Sequence, residues 1–117
     1  MDEKVVMRYR DGRTERVTLD PIDPAREVLV ARRDDGSAYD VPFTDLKAVF
    51  FPQTQPEDAL EPAAGMPLAV EFNDREVIRG TAQYNPERNG FFLYPTDRSK
   101  NDRIFVVNSA IVSIEVG

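Results

Sequence analysis

"DLKAVFF", residues 45–51, is an apolar run interrupted by one lysine, and it ends in two adjacent phenylalanines just before a proline. Successive side chains of a strand point to opposite faces, so Phe50 and Phe51 cannot both enter one core. One of them must face a second lobe, a partner or water. Burying a phenylalanine is worth roughly 2–3 kcal/mol, so leaving one wet forgoes that gain and invites association. The pair therefore raises the question of what lies on each side of this strand.

Working outward, the chain contains a repeat. Val5, Met7 and Tyr9 alternate with Val6, Arg8 and Arg10, and "DG" at 11–12 marks a tight turn before "RTERVTL". "LAVEF", "ND" and "REVIRGT", residues 68–81, read as a second hairpin of the same kind. A shift of 63 residues lays Val5 on Leu68, Met7 on Val70, Tyr9 on Phe72 and Asp11 on Asp74. "REVLVARR" (26–33) then corresponds to "GFFLYPTD" (90–97), and "AYDVPF" (38–43) to "RIFVVN" (103–108). "DLKAVF" (45–50) corresponds to "AIVSIE" (110–115), now at a shift of 65.

Each unit thus predicts five short strands. The expected fold is all-β, two tandem five-stranded SH3-like or Sm-like small barrels packed as one unit. The first spans 1–51 and the second 68–117. Residues 52–67, with Pro52, Pro56, Pro62 and Pro67, are expected to be a linker, because proline at this density resists helix and central strand. The repeat also bears on the phenylalanine pair. Phe51 falls on Val116 and Val49 on Ile114, both inward, whereas Phe50 falls on Glu115, an outward place. Phe50 is therefore expected to pack between the lobes, with an anchor for a partner protein as the alternative.

Composition excludes several functions. A net charge of −6, shared by both halves, disfavours binding to a phosphate backbone as the main role. With no cysteine and no histidine, disulfides, thiolate metal sites and the commonest general base are absent. The start, "MDEKVVMRYR", has no apolar segment suited to a signal or a membrane span, so a cytoplasmic location without membrane association is expected. The acidic pairs fall in turns and linker, and no glycine-rich phosphate loop occurs. A non-enzyme with no catalytic residues, no metal and no cofactor is the expectation.

Two surfaces are candidates for binding. Arg8, Arg10, Arg13 and Arg16 come from one hairpin and would form a basic face, where their counterparts are Glu71, Asn73, Glu76 and Arg79. Such a face suits an acidic partner protein or, less well in this acidic chain, RNA bound as Sm-like barrels bind it. Cross-strand pairing with Glu15 would account for part of it. The second candidate is a ligand site of the PilZ kind for cyclic di-GMP. Arg75 and Arg79 form RxxxR, and Asp97 and Ser99 follow in "DRSKND", where Asp102 replaces the glycine of that pattern. With twelve arginines in the chain, about one such spacing arises by chance.

"DLKAVFF", "GFFLYP" (90–95) and "NDRIFVV" (101–107) resemble signatures of a bacterial domain family met in deltaproteobacteria and acidobacteria, alone or attached to signalling proteins. The resemblance runs over nearly the whole chain and rests on strand-core residues. Similar sequences have an acidic-glycine turn in the second hairpin where this one has "NDRE", which puts that turn's geometry in question. The resemblance implies no catalytic activity. It implies an adaptor, with a response regulator or a Ras-like small GTPase, or both, as partner in polarity or motility control.

Overall fold

Both hairpins close in the same way. A computed structural model describes residues 4–20, 22–23, 25–52, 65–84, 87–96 and 101–116. Strands β1 (Lys4–Tyr9) and β2 (Thr14–Leu19) are joined by a turn in which the Tyr9 amide donates to the Arg13 carbonyl at 2.8 Å and the Gly12 amide to the Tyr9 carbonyl at 3.1 Å. Strands β6 (Met66–Phe72) and β7 (Val77–Ala82) repeat this 63 residues on, with Phe72 donating to Glu76 and Arg75 to Phe72, both at 2.9 Å. The "NDRE" turn therefore keeps the acidic-glycine geometry. Arg75 adopts φ 74° where Gly12 has φ 94°, a region that costs a side-chain-bearing residue roughly 1 kcal/mol or more.

The remaining strands are β3 (Val28–Arg32), β4 (Ala38–Pro42), β5 (Leu46–Pro52), β8 (Gly90–Pro95), β9 (Asn101–Val107) and β10 (Ile111–Val116). A one-turn 3₁₀ step, Phe43–Asp45 or Asn108–Ala110, leads into β5 and β10. The described residues contain no α-helix, and so no helix long and apolar enough to cross a membrane. Pro52 closes β5 and Pro67 lies within β6, so both ends of the expected linker belong to strands. Residues 53–64 lie outside the described residues.

All ten strands form one antiparallel sheet in the order β10-β6-β7-β8-β9-β5-β1-β2-β3-β4, and it does not close into a barrel. Within each half the fifth strand lies beside the first and the others follow in sequence. The repeat needs one adjustment. Thr18 faces Arg32, and its counterpart Thr81 faces Tyr94. Arg32 therefore occupies the place of Tyr94, 62 positions on, and the third strand is displaced by two from the register read in the sequence. A slip of two keeps every side chain on its face, which is why the apolar pattern could not reveal it.

The halves meet at β5 and β9, the two central strands, paired from Ala48↔Val106 to Phe51↔Arg103. Each strand serves two cores. Val49 and Phe51 join Val5, Met7, Leu29 and Phe43 in the first core, while Ala48 belongs to the second with Val70, Phe72 and Leu93. On β9, Ile104 and Val106 face their own second core, but Phe105 and Val107 are buried in the first. Burial on both faces is why these segments read as continuous apolar runs instead of alternating ones. Phe50 packs on the second core, so one phenylalanine of the pair serves each half.

Candidate interaction surfaces at the seam and the free edge

One side of the seam is an ion-pair cluster built on a bulge. Arg8 faces Ala48 and Tyr9 faces Leu46, which leaves Lys47 as the extra residue of β5. A bulge re-aims its side chain, and Lys47, only 2% exposed, extends beneath the second hairpin. Its Nζ lies 2.7 Å from Asp74 Oδ2, 2.5 Å from Glu76 Oε1 and 4.9 Å from the centroid of the Phe72 ring. Arg8 donates to both Glu76 oxygens at 3.1 and 3.3 Å, with its guanidinium 4.7 Å over the ring of Phe50. The Lys47 hydrogen bond, helped by the Glu76 amide, holds the Asp74 carboxyl below the usual carboxylate range. Two cations and two carboxylates thus neutralise one another. The cluster joins the halves.

The other side of the seam is held by Arg10. Its Nε donates to the Leu46 carbonyl at 2.9 Å and its Nη2 to the Phe43 carbonyl at 3.2 Å and to Ser109 Oγ of the second half. Burial lowers its pKa, against the pull of Asp45. Nearby, Asn89 donates to the Arg26 carbonyl and Asn108 to the Arg88 carbonyl at 2.7 Å. A cleft of about 560 Å³ opens here between Glu27, Pro42 and Thr44 of the first half and Arg88, Asn89 and Ser109 of the second.

The sequence candidates are accordingly redistributed. Arg8 and Arg10 are spent within the molecule, and Arg13 pairs with Asp11 at 2.7 Å while lying 4.6 Å over the ring of Tyr9. Arg13 and Arg16 are both exposed, Arg16 on its strand opposite Val6. Glu15 accepts hydrogen bonds from Tyr9 and Tyr39 at 2.9 and 3.0 Å, and not from the arginines. Desolvation and then that carboxylate raise the pKa of both phenols. Arg75 and Arg79 are exposed on the second hairpin. Asp97 and Ser99 lie outside the described residues. Among the described residues no cluster of three His, Cys, Asp or Glu could hold a metal.

The edge of the described sheet at β10 is different in character. Met66, Tyr84, Val112 and Val116 are 56%, 44%, 62% and 61% exposed. Together with Leu68, Ala82 and Ile114, three of these four, Met66, Tyr84 and Val116, line an open, mainly apolar cavity of about 470 Å³. Tyr84 is held edge-on to Phe91 at 5.3 Å.

A family of unknown function, DUF6982, matches residues 1–117. The chain belongs to this family. No curated protein and no solved structure matches it. Two features of this DUF6982 chain escaped the sequence reading. Lys47 had a visible signal, a charge inside an apolar run, which on a strand buried on both faces must find a partner. The cavity beside β10 had none, because it depends on which strand is left without a neighbour.

Proposed function

We propose that the two five-strand units are SH3-like or Sm-like small barrels opened toward each other at the β5–β9 ladder. In this reading the chain acts in the cytoplasm as a non-enzymatic protein-interaction adaptor in bacterial signalling. What carries it is the apolar cavity beside β10, a strand with no outer neighbour among the described residues, ringed by exposed Met66, Tyr84 and Val116. Contiguous exposed apolar surface on a small chain marks a place where another molecule binds. The internal use of Arg8, Arg10, Lys47, Asp74 and Glu76 supports the same reading, since these groups join the two halves instead of forming an open charged site. The specific partners proposed are a response regulator and a Ras-like small GTPase, with the adaptor promoting nucleotide exchange.

The test is a native pull-down read by mass spectrometry, using wild type beside Arg16→Glu and Val116→Asp with thermal melts of all three. A stoichiometric partner lost in one variant at unchanged melting temperature supports the adaptor. Absence of any partner overturns it. Release of a fluorescent guanine nucleotide from the GTPase, with and without the regulator, then decides the specific partnership.

A further inference from the structure

The inside of the molecule contains a template for what its free edge should bind. β5 and β10 are equivalent strands, bulged at equivalent residues, since Ile111 faces Phe72 and Ser113 faces Glu71, leaving Val112 out as Lys47 is left out. The edge of β5 is filled by β9. Among the described residues no strand pairs with the outer edge of β10. In the first half, Val5, Leu19, Val49 and Phe51 share one core with Phe92 and Phe105 of the second. Phe105 sits directly opposite Val49 and is fully buried, and Phe92 lies 5.9 Å from the Phe51 ring. The counterparts in the second half are Leu68, Ala82, Ile114 and Val116, and these four line the cavity. The cavity is the place that Phe105 and Phe92 fill at the seam.

We infer that β10 is the docking edge for an extended segment of a partner protein, added antiparallel as an eleventh strand, with a large apolar side chain opposite Ile114 and a basic one opposite Glu115. Main-chain hydrogen bonds along the edge give such additions affinity, and alternate side chains give specificity. The apolar requirement follows from Phe105 opposite Val49. The basic one follows from Glu115, which stands where Phe50 meets Ile104 at the seam, with Glu71 on the adjacent strand.

A second copy fits poorly. Its β4 is the counterpart of β9, but Asp40 would take the place of Phe105 and Pro42 that of Val107. A carboxylate would then be pressed against Ile114, and the proline would remove a ladder donor. Charge and proline on an edge are devices that block such pairing. A second β10 would bring no aromatic side chain to fill the cavity. This inference rests on the interaction-module reading and names its mode and the partner's chemistry.

The probe is an acetylated, amidated peptide of residues 101–107 carrying Ile104→Lys, titrated into the ¹⁵N-labelled full chain. Saturable shifts are expected at Ser113–Val116, Met66 and Tyr84, with slowed exchange of β10 amides. The same peptide with Phe105→Asp should bind at least tenfold more weakly, and Val116→Asp in the protein should abolish the shifts without changing its melting temperature. No saturable shift, or shifts indifferent to the phenylalanine, overturns the inference, as does a dimer in analytical ultracentrifugation that Val116→Asp dissociates. A captured partner that neither Val116→Asp nor the peptide displaces overturns edge addition while the adaptor reading stands; no partner at all overturns the adaptor.

Discussion

Lys47 and Val112 stand at the same bulge of the two halves, yet one is 2% exposed and the other 62%. The difference is the seam. Lys47 lies under the second hairpin, where Asp74 and Glu76 meet it, whereas no described hairpin lies over Val112. The same local geometry therefore yields a buried ion pair in one half and an exposed apolar side chain in the other.

Lys47→Ala is expected to lower stability by about 2 kcal/mol, below the cost of breaking a fully buried pair because Asp74 and Glu76 remain about half exposed and can be solvated. Val112→Lys should change it by less than about 0.5 kcal/mol. Urea denaturation of both variants checks the contrast, and equal effects would contradict the seam as the cause.

Acid should act through Asp74. Its folded-state pKa is depressed by the Lys47 hydrogen bond and the Glu76 amide, so the stability it contributes is fully present above its unfolded value near 3.8 and is lost as pH falls through the lower folded value. Asp74→Asn keeps an acceptor for the amide but not the charge. The stability difference between wild type and this variant is expected to shrink as pH drops below about 4, a window set by the ordinary aspartate range. Asp11, Asp20 and Asp35, also depressed by local hydrogen bonds, remain in both proteins and cancel. A pH-independent difference would remove Lys47–Asp74 from the account.

Arg75→Gly should stabilise the chain. The residue sits at φ 74° and is exposed, so the substitution relieves left-handed strain at the expense of some unfolded-state entropy. A net gain of about 0.5 kcal/mol is expected, seen as a higher urea midpoint at unchanged slope. Gly12→Arg in the first hairpin, at φ 94°, should move the midpoint the other way.

Phe105→Ala tests whether the halves fold as one. The ring belongs to the second half but lies in the first core, 5.7 Å from Phe43 and 5.2 Å from Phe92. A loss of about 3–5 kcal/mol is expected, and native-state hydrogen exchange should show β1 to β3 and β6 to β8 losing the same protection. Loss confined to one half would mean that two independent cores exist.

The strands themselves were legible from "VVMRYRDGRTERVTL" and "LAVEFNDREVIRGT", because alternation and turn residues act within a few positions. The repeat, the final strand and the question posed by Phe50 could be read for the same reason. The two-residue displacement of β8 could not, since period-two patterning is blind to even slips. Nor could the fate of the basic face. Arg8 and Arg10 looked free on an isolated hairpin, but Glu76 of the second half takes up Arg8, and Arg10 is held by the distant Leu46 and Phe43 carbonyls together with Ser109 of the second half.

What the chain's order of residues determined by itself is therefore local: ten strands, two matching hairpins, and two segments too apolar to have a wet face. What only the tertiary structure decided is how the halves join, through β5 against β9 in one sheet, and hence which charges are consumed and which strands, β10 and β4, end the described sheet. Those outcomes depend on contacts between residues far apart in the chain, and side-chain periodicity carries no information about which edge meets which.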